Sequence, residues 1–431
     1  MAKNPSGRPC SRKSGRRPSM PIRHFTTRNV LSGFCLILPP LAVLSPNAVV
    51  PLLIVAALLA GLSTWRETGH LPRPDRTATL FLGLLLVWSA ITATWSFDPS
   101  WALFSVVRLA VLFLSGLVLF EVCRSRGEDE RQRLVKWLIA GFALGVSIFL
   151  FERAFDFPIH RLANLLEPDF NVPLFRLNRP AVAMTLMAWP LTAALLWLKG
   201  RPAALLPVCM FGIVLLSESD SALFGLAAGI VLSGISVMSR PLGRRILALA
   251  VIVGFLGAPF IATGLHAMGL DRPDTLDSEL QRQVNSAQHR IYVWGFVADR
   301  IAEHPLQGWG FDSSRNMPNF GVQSFKQQPG QVMPLHPHNA VLQIWLELGL
   351  PGVLLAMGFV LCVIRRLDRL TPSAEICAQG FLASTLVIAT SSYGIWQNMW
   401  VSVLFAAAAL VPLSDLPGLL SDTSTAADRR E

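Results

Sequence analysis

The feature of this chain that most constrains its fold is a series of apolar runs of about twenty residues that carry no charge. "TLFLGLLLVWSAITAT" and "ILALAVIVGFLGAPFIATGL" are two of them. A helix of that length crosses the hydrocarbon core of a bilayer and satisfies its own backbone hydrogen bonds there. Only 15% of the 431 residues are charged, whereas a soluble domain has about a quarter. The sequence therefore predicts an all-α polytopic membrane protein.

Twelve segments are apolar enough to be predicted as membrane spans, with boundaries uncertain by several residues. The two blocks of spans are 29–264, with nine helices, and 339–414, with three, and a long loop over 265–338 separates them. Residues 1–28 and 415–431 are predicted to be tails. The spans are 29–45, 48–63, 77–95, 101–122, 134–152, 180–198, 202–217, 221–238, 246–264, 340–364, 377–394 and 397–414.

Lys and Arg are distributed unequally between the two sides of this arrangement. The side that holds both termini carries 26 of them and the other side carries 10, while Arg108 alone falls inside a span. Because basic residues are retained in the cytoplasm, both termini are predicted to be cytoplasmic and the loops 153–179 and 265–338 external. The net charge of +10 follows from this bias and does not indicate nucleic-acid binding. The basic tail is interpreted as an orientation signal that touches anionic lipid.

The polar residues that could carry chemistry collect on the external side. The charged residues predicted in the middle of the bundle are Arg108, interpreted as structural, and, at a shallow depth, Glu347. Ion-coupled transporters, by contrast, carry Asp, Glu or His inside the bilayer. The candidate site is therefore predicted at the external face. Six of the eight histidines fall on that side: His160, His266, His289, His304, His336 and His338.

The long external loop contains a predicted amphipathic helix over residues 279–304. Arg290 precedes Trp294 by one helical turn and lies at the edge of the apolar face. The turn 305–310 follows with two glycines, which allow the backbone to approach a ligand closely. A helix in the interface with an arginine along the surface suits a substrate with a lipid tail and a phosphate head. The apolar positions recur every three or four residues: Ile291, Trp294, Val297 and Ile301.

Two arginines on the external side are candidates for binding phosphate. One is Arg290, and the other is Arg179, at the start of a span in which Pro180 fits the first turn and Asn178 is predicted as the N-cap. A guanidinium group matches phosphate oxygens bidentately and keeps its proton. Two of them facing one vestibule would form a diphosphate clamp, whereas each alone would be an interfacial anchor.

The stretch "HPHN" opens the tenth span with two histidines and an asparagine. A neutral histidine at a helix N-terminus has its pKa lowered by the helix dipole, so His338 is a candidate general base. The alternatives are a structural residue that hydrogen-bonds backbone, or half of a metal pair with His336. No carboxylate or cysteine lies close in sequence to complete a metal site, and no Cys-x-x-Cys spacing occurs, so no metal is predicted.

Together these motifs resemble the O-antigen ligase and polymerase superfamily, bacterial membrane enzymes that join lipid-linked oligosaccharides outside the cytoplasmic membrane. "HPHNAVLQIWLELGLPG" is similar to the signature in which a histidine and an asparagine open a span, with a glutamate and glycines one to three turns on. His338 and Gly349 reproduce the spacing of histidine, ten residues, glycine. "HRIYVWGFVADRIAEHPLQGWGFDS" resembles the Arg-x-x-x-Trp helix and the His-Pro-Leu-x-Gly-x-Gly turn. The resemblance covers the whole chain in topology and residues 285–355 in motif.

The resemblance implies a GT-C-like glycosyltransferase architecture in the bacterial inner membrane, with a periplasmic site. It implies a donor glycan on undecaprenyl diphosphate, a glycan or lipid A–core acceptor, contact with membrane lipid, and neither cofactor nor metal. Departure of a diphosphate needs positive charge more than a general acid, and the acceptor hydroxyl needs a base. A single direct displacement then inverts the anomeric carbon.

Carried over residue by residue, the resemblance makes His338 the base that activates the acceptor hydroxyl and Arg290 a ligand of the donor diphosphate. Arg179 corresponds to the second arginine, and Arg176 could serve instead. Relatives often show a Ser-Arg pair where this chain has "SESDSALFGLAAG", and the missing arginine leaves the role of residues 219–221 open. Further residues are expected to bind substrate: Asn178, Arg176, Trp294, His336, Asn339 and Glu347.

Three functions stay open at this point. A ligase that moves a finished lipid-linked polysaccharide onto lipid A–core is favoured. A polymerase would extend O-antigen, capsule or exopolysaccharide by the same chemistry, and its acceptor would also bind in the variable external loops. A twelve-span transporter of lipid-linked sugars is disfavoured, because such transporters are built from structural repeats and the sequence shows no two similar halves.

Overall fold

The computed structural model describes residues 26–163, 173–271, 280–325 and 330–416. For residues 280–285 it describes the backbone alone. Most of the two predicted tails, and parts of both predicted external loops, lie outside the described residues. Within these ranges every regular element is a helix. The expected all-α class is therefore confirmed.

Fourteen α-helices follow one another in the described part of the chain, and short 3-10 turns join several of them. In chain order they are α1 (Thr27–Leu44), α2 (Val49–Thr68), α3 (Arg76–Thr92), α4 (Pro99–Arg124), α5 (Glu128–Ala154), α6 (Pro158–Ala163), α7 (Asn178–Lys199), α8 (Leu206–Val214), α9 (Asp220–Met238), α10 (Arg240–Ala267), α11 (Leu280–Glu303), α12 (Ala340–Arg366), α13 (Pro372–Ser391) and α14 (Asn398–Ser414).

Each of the twelve predicted spans coincides with a helical segment of the structure. Ten of these segments are long and apolar enough to cross a membrane. The seventh and twelfth are shorter apolar helices, over Arg201–Val214 and Asn398–Ser414. The protein is thus a polytopic helical membrane protein, and a count of twelve crossings stays a prediction.

The helix α7 lies at the centre of the bundle. It packs against α1, α13 and α14, and every residue from 180 to 194 is buried. A helix that is apolar all round belongs in such a position, since it has no face to offer to a polar solvent. This places Arg179, at the start of α7, on the axis of the bundle.

The predicted amphipathic helix of the long loop is confirmed as α11. It packs against α10 and α12 with Val297 and Ile301 buried and with Ile291 and Trp294 half-buried. The three- to four-residue spacing of these side chains is the reason that one face of α11 covers the bundle.

The helix α12 is interrupted at Gly349, where φ is +60° and the regular hydrogen bonding stops. The turn 305–310 fills the interruption: Trp309 N–H donates to the Leu346 carbonyl at 2.8 Å, and Gly310 N–H donates to the Glu347 carbonyl at 3.0 Å. Buried backbone groups are nearly always paired, so the turn compensates for the broken helix.

Gly308 and Gly349 face each other across this contact. A Cβ atom at Gly308 would meet the backbone of Glu347, and one at Gly349 would meet the backbone of Leu306. The sequence predicted that the glycines of the turn let the backbone approach a ligand. In the structure their close approach is to α12, and it holds the first half of that helix in place.

Candidate functional site

The turn that leads into α12 has a defined conformation. Asn339 is the N-cap, and its side-chain oxygen accepts from the N–H groups of Val341 and Leu342, both at 3.1 Å. His338 has a φ of +55°, a left-handed conformation that is uncommon outside glycine and that clusters at functional sites. Asn339 was expected to bind substrate, and in the structure its side-chain oxygen caps α12.

Trp294 holds the same turn from the loop helix. Its indole N–H donates to the Pro337 carbonyl at 2.8 Å, and its ring packs in the second apolar cluster with α12. The aromatic position of the Arg-x-x-x-Trp motif thus connects α11 to the residue before His338. Trp294 was expected to bind substrate, and its only polar atom is used to position His338.

The imidazole of His338 is oriented by the chain between α13 and α14. Its Nδ1 lies 2.8 Å from the carbonyl oxygen of Ser392. Because a carbonyl only accepts, Nδ1 carries the proton and Nε2 carries the lone pair. Burial lowers the pKa of His338 below its ordinary value of 6.5, the Ser392 carbonyl opposes this, and the charges of Arg290 and His289 lower the pKa further. The side chain is therefore a neutral imidazole at pH 7, as a general base must be.

His336 is buried beside this ring. The centroids of the two imidazoles lie 4.4 Å apart in an edge-to-face arrangement, and the His338 backbone N–H donates to His336 Nδ1 at 3.2 Å. Burial first, and then His338 and Arg315, lower the pKa of His336 to about 3. This ring stays neutral and accepts from backbone, so it supports the turn.

Arg290 projects from α11 close enough to His338 that its charge lowers the pKa of that ring. The guanidinium is half-buried, and burial lowers its own pKa while Asp220 raises it. An arginine keeps its charge in such surroundings. Asp220, whose role the sequence left open, is thus the acidic neighbour of Arg290.

The two serines that flank Asp220 lie at the start of α9, and one of them contacts Ser392. Ser219 caps this helix by accepting from the Ala222 N–H at 3.4 Å, and the Ser221 hydroxyl donates to the Ser392 hydroxyl at 3.1 Å. The start of α9 is thereby joined to the residue that orients His338. The stretch that departs from the pattern of its relatives therefore lies at the site.

Arg179 approaches from the start of α7, where it is exposed. Burial raises the pKa of the Tyr393 hydroxyl, and the charge of Arg179 opposes part of this rise. Tyr393 stacks on Trp400 at 5.0 Å and directly follows Ser392. Segment 392–393 therefore contacts His338 through the Ser392 carbonyl and lies within range of the charge of Arg179.

The prediction that Asn178 caps α7 is wrong. The 3-10 turn Leu174–Leu177 runs directly into the helix, the N-cap is Leu177, and Asn178 is already inside. Its side-chain oxygen is buried without a hydrogen-bond partner among the described residues. An unpaired buried acceptor is costly, which leaves Asn178 available to a ligand hydroxyl. Arg176 is exposed on the preceding turn.

Glu347 is fully buried and accepts four hydrogen bonds from the protein. The donors are the Asp312 N–H at 2.8 Å, the Gln343 amide at 2.9 Å, the Trp396 indole at 2.6 Å and the Ser314 hydroxyl. This carboxyl group joins α12 to the segments on either side of it. It was expected to bind substrate, and its geometry gives it a supporting role instead.

Sequence reasoning did not find the contribution of Ser392 and Tyr393. The only signal was "SSYGIWQN", a polar stretch that in the structure joins α13 to α14. A backbone carbonyl carries no residue type, so its partnership with His338 could not be read from the sequence. Among the described residues, no three His, Cys, Asp or Glu side chains form a group that could hold a metal ion.

Comparison with known proteins bears on this arrangement. Residues 205–357 match a family model described as O-antigen ligase, a range that includes α11, the turn into α12 and the break in that helix. Over these residues the chain is similar to the O-antigen ligase family. The recognition made from the sequence motifs is confirmed.

Similarity to individual proteins extends along most of the chain. A protein of Rickettsia bellii, provisionally named a polysaccharide ligase, is 28% identical over 355 residues, which cover 80% of this chain and 82% of the relative. A protein of Rickettsia felis with the same name is 26% identical over 344 residues, 79% of this chain and 81% of its own. These similarities support a ligase-like function for this membrane protein.

Proposed function

We propose that the protein is a glycosyltransferase that moves a polysaccharide from undecaprenyl diphosphate to a sugar hydroxyl of lipid A–core. The observation that carries the proposal is the contact between His338 and Ser392. It leaves the lone pair on Nε2 of a neutral imidazole. The charge of Arg290 acts on this ring, and the charge of Arg179 acts on Tyr393, the residue after Ser392. A base and two fixed positive charges are what this displacement needs.

The reaction follows from these positions. The acceptor hydroxyl gives its proton to His338 Nε2 while its oxygen attacks the anomeric carbon of the donor sugar. The bond from that carbon to the diphosphate oxygen breaks, and the electron pair leaves with the diphosphate. Arg290 and Arg179 stabilise the developing charge through bidentate hydrogen bonds. One displacement inverts the anomeric centre, and neither a metal nor a cofactor takes part in this scheme.

The half-buried position of Arg290 strengthens the attraction between its charge and a diphosphate. Coulombic interactions strengthen as water is excluded, and the departing diphosphate gains negative charge during the reaction. The negative charge of Asp220 acts on this guanidinium, and we expect it to favour the position of Arg290 when no donor is bound. The proposal therefore gives Asp220 a positioning role.

The distribution of basic residues supports a periplasmic location of the site. The residues around His338 lie at the starts of α7, α9 and α12 and at the end of α13. The basic loops follow the C-terminal ends of α4, α9 and α12, whereas the site lies at the starts of α9 and α12. Since basic loops are retained in the cytoplasm, the site faces the periplasm of the inner membrane and both termini face the cytoplasm.

The test is a transfer assay with the full-length chain in detergent. The donor is a glycan of two repeats on undecaprenyl diphosphate, and the products are separated by gel and mass. With lipid A–core present, a ligase produces lipid A–core that carries the glycan. Four-repeat chains on undecaprenyl diphosphate would mean that the protein is a polymerase. A folded protein that forms neither product would contradict the proposal.

A further inference from the structure

A second charged cavity lies beside the candidate site. It has a volume of about 210 Å³, and its wall includes Arg108, Asp312, Arg315, His336 and Gln397. His336 separates it from His338, whose ring centroid is 4.4 Å away. Arg179 and Arg290 are not among the residues that line it. The cavity is therefore separate from the proposed diphosphate clamp and lies next to His338.

The charges that line this cavity do not cancel. Asp312 accepts from the Ser105 hydroxyl at 2.8 Å, and Arg108 donates to the same hydroxyl at 3.2 Å. Within the described residues, neither Arg108 nor Arg315 has a carboxylate within the 4.0 Å of an ion pair. Burial raises the pKa of Asp312. Two guanidinium groups thus face at most one negative charge.

Both guanidinium groups are held by the same aromatic ring. Arg108 and Arg315 lie 6.0 and 5.4 Å from the centroid of Trp101, distances at which a cation is attracted by the ring. The Nε atom of Arg315 is also buried without a hydrogen-bond partner in the described part of the chain. The donors are therefore fixed in place while part of their hydrogen-bonding capacity is unused.

The position of Arg108 in α4 adds a second argument. It lies nine residues after the first residue of a membrane-spanning helix, which is about 14 Å along the axis. A charged side chain at such a depth is expensive and marks a functional site with a defined partner. The sequence interpreted Arg108 as structural, and the structure places it in a polar cavity instead.

We propose that this cavity binds an anionic substituent, a phosphate or a carboxylate, on the acceptor glycan. This inference rests on the proposed function, because the donor diphosphate is assigned to Arg179 and Arg290. An acceptor held by its anionic group at Arg108 and Arg315 places a neighbouring hydroxyl toward His338, across the ring of His336. The two cationic compartments then separate donor from acceptor.

The first test measures binding and needs no transfer. The full-length chain in detergent is titrated with glucose 6-phosphate, glucuronate and glucose, and the midpoint of thermal unfolding is recorded. Wild type and Arg290→Gln are expected to be stabilised by one or both anionic sugars, whereas Arg315→Gln loses this stabilisation. Arg315→Lys keeps the charge and shows that the position tolerates substitution. The two anionic sugars distinguish a phosphate from a carboxylate.

Two results would overturn the inference. One is stabilisation that Arg290→Gln removes and Arg315→Gln retains, because the anions would then bind only at the clamp. The other is equal stabilisation by glucose, because the cavity would then not select for charge. Both results are independent of whether the protein transfers glycans.

A second test uses the transfer assay. Arg315→Gln is expected to raise the KM for an anionic acceptor about tenfold, the effect of losing one charge-assisted hydrogen bond. The KM for the undecaprenyl-diphosphate donor should change less. If the donor KM rises by the larger factor, the cavity belongs to the donor and the assignment is wrong.

Discussion

His338 Nδ1 and the carbonyl oxygen of Ser392 lie 2.8 Å apart, and this contact joins the start of α12 to the chain between α13 and α14. A histidine held in this way presents one defined nitrogen to a substrate. Ser392 in turn accepts a hydrogen bond from the Ser221 hydroxyl. The next residue, Tyr393, lies within range of the charge of Arg179. The starts of α9 and α12 and the chain between α13 and α14 are therefore linked at this histidine.

The pH dependence of transfer should reflect the lowered pKa of His338. Burial is the main cause, and Arg290 and His289 add to it, so the neutral ring persists below the ordinary value of 6.5. Activity is retained through neutral pH and is lost as the pH falls through the lowered pKa. We expect kcat/KM measured across this range to have an acidic limb with its midpoint below 6.5. A midpoint above 6.5 would show that another group titrates.

Replacing Trp294 by phenylalanine should affect catalysis more than stability. The variant loses the hydrogen bond to Pro337 and loosens the turn that carries His338, so kcat should fall about tenfold or more. Trp345→Phe is the matched control, because this indole donates to the Phe255 carbonyl at 2.7 Å, away from the site. Each variant should lose about 1 kcal/mol of stability. Equal kcat values for the two variants would argue against a positioning role for Trp294.

Replacing Glu347 by glutamine should lower both stability and activity. The amide brings an N–H₂ group into a site where all four neighbours are donors, so donors face each other. A loss of about 1–3 kcal/mol is expected for the unsatisfied groups, measured as a lower midpoint of thermal unfolding. The control is Glu303→Gln, a partly exposed partner of Arg300, which should leave the midpoint unchanged. A Glu347→Gln midpoint equal to wild type would mean that this hydrogen-bond network contributes little.

The break in α12 gives a prediction about Gly349. An alanine there meets the backbone of Leu306 and must adopt a φ of +60°, so Gly349→Ala should destabilise the protein by about 2 kcal/mol or more. Gly254→Ala is the comparison, because that glycine has open space around it within α10. Unfolding midpoints in detergent measure both. If the two substitutions cost the same, the contact with the turn 305–310 does not depend on a glycine.

Local patterns in the sequence predicted the helices well. The apolar spacing around Val297 predicted α11. The uncharged runs predicted the twelve spans, and each span coincides with a helical segment. These signals are local, since each depends on residues within a few turns of one another. The break at Gly349 was not predicted, because the donors that compensate for it come from the distant turn 305–310.

The site was predictable only in part. His338, Arg290 and Arg179 were recognisable as residues of the right chemistry, and their roles stay predictions. Asn178 was wrongly predicted as a cap, because the preceding 3-10 turn continues the helix without the extended residue that a cap requires. Trp294, Asn339 and Glu347 were expected to bind substrate. The Trp294 indole N–H, the Asn339 side-chain oxygen and the Glu347 carboxylate have partners within the protein. Which partner satisfies a polar atom depends on tertiary contacts that residue spacing does not contain.

The central claim is that His338 Nε2 removes the acceptor proton, and His338→Asn tests it most directly. An asparagine amide can replace Nδ1–H as the donor to Ser392, and asparagine tolerates the left-handed conformation of residue 338. The variant should unfold at the wild-type midpoint and bind the undecaprenyl-diphosphate donor normally. We predict that its single-turnover rate of transfer to lipid A–core falls at least about a hundredfold. Transfer at the wild-type rate would contradict the account.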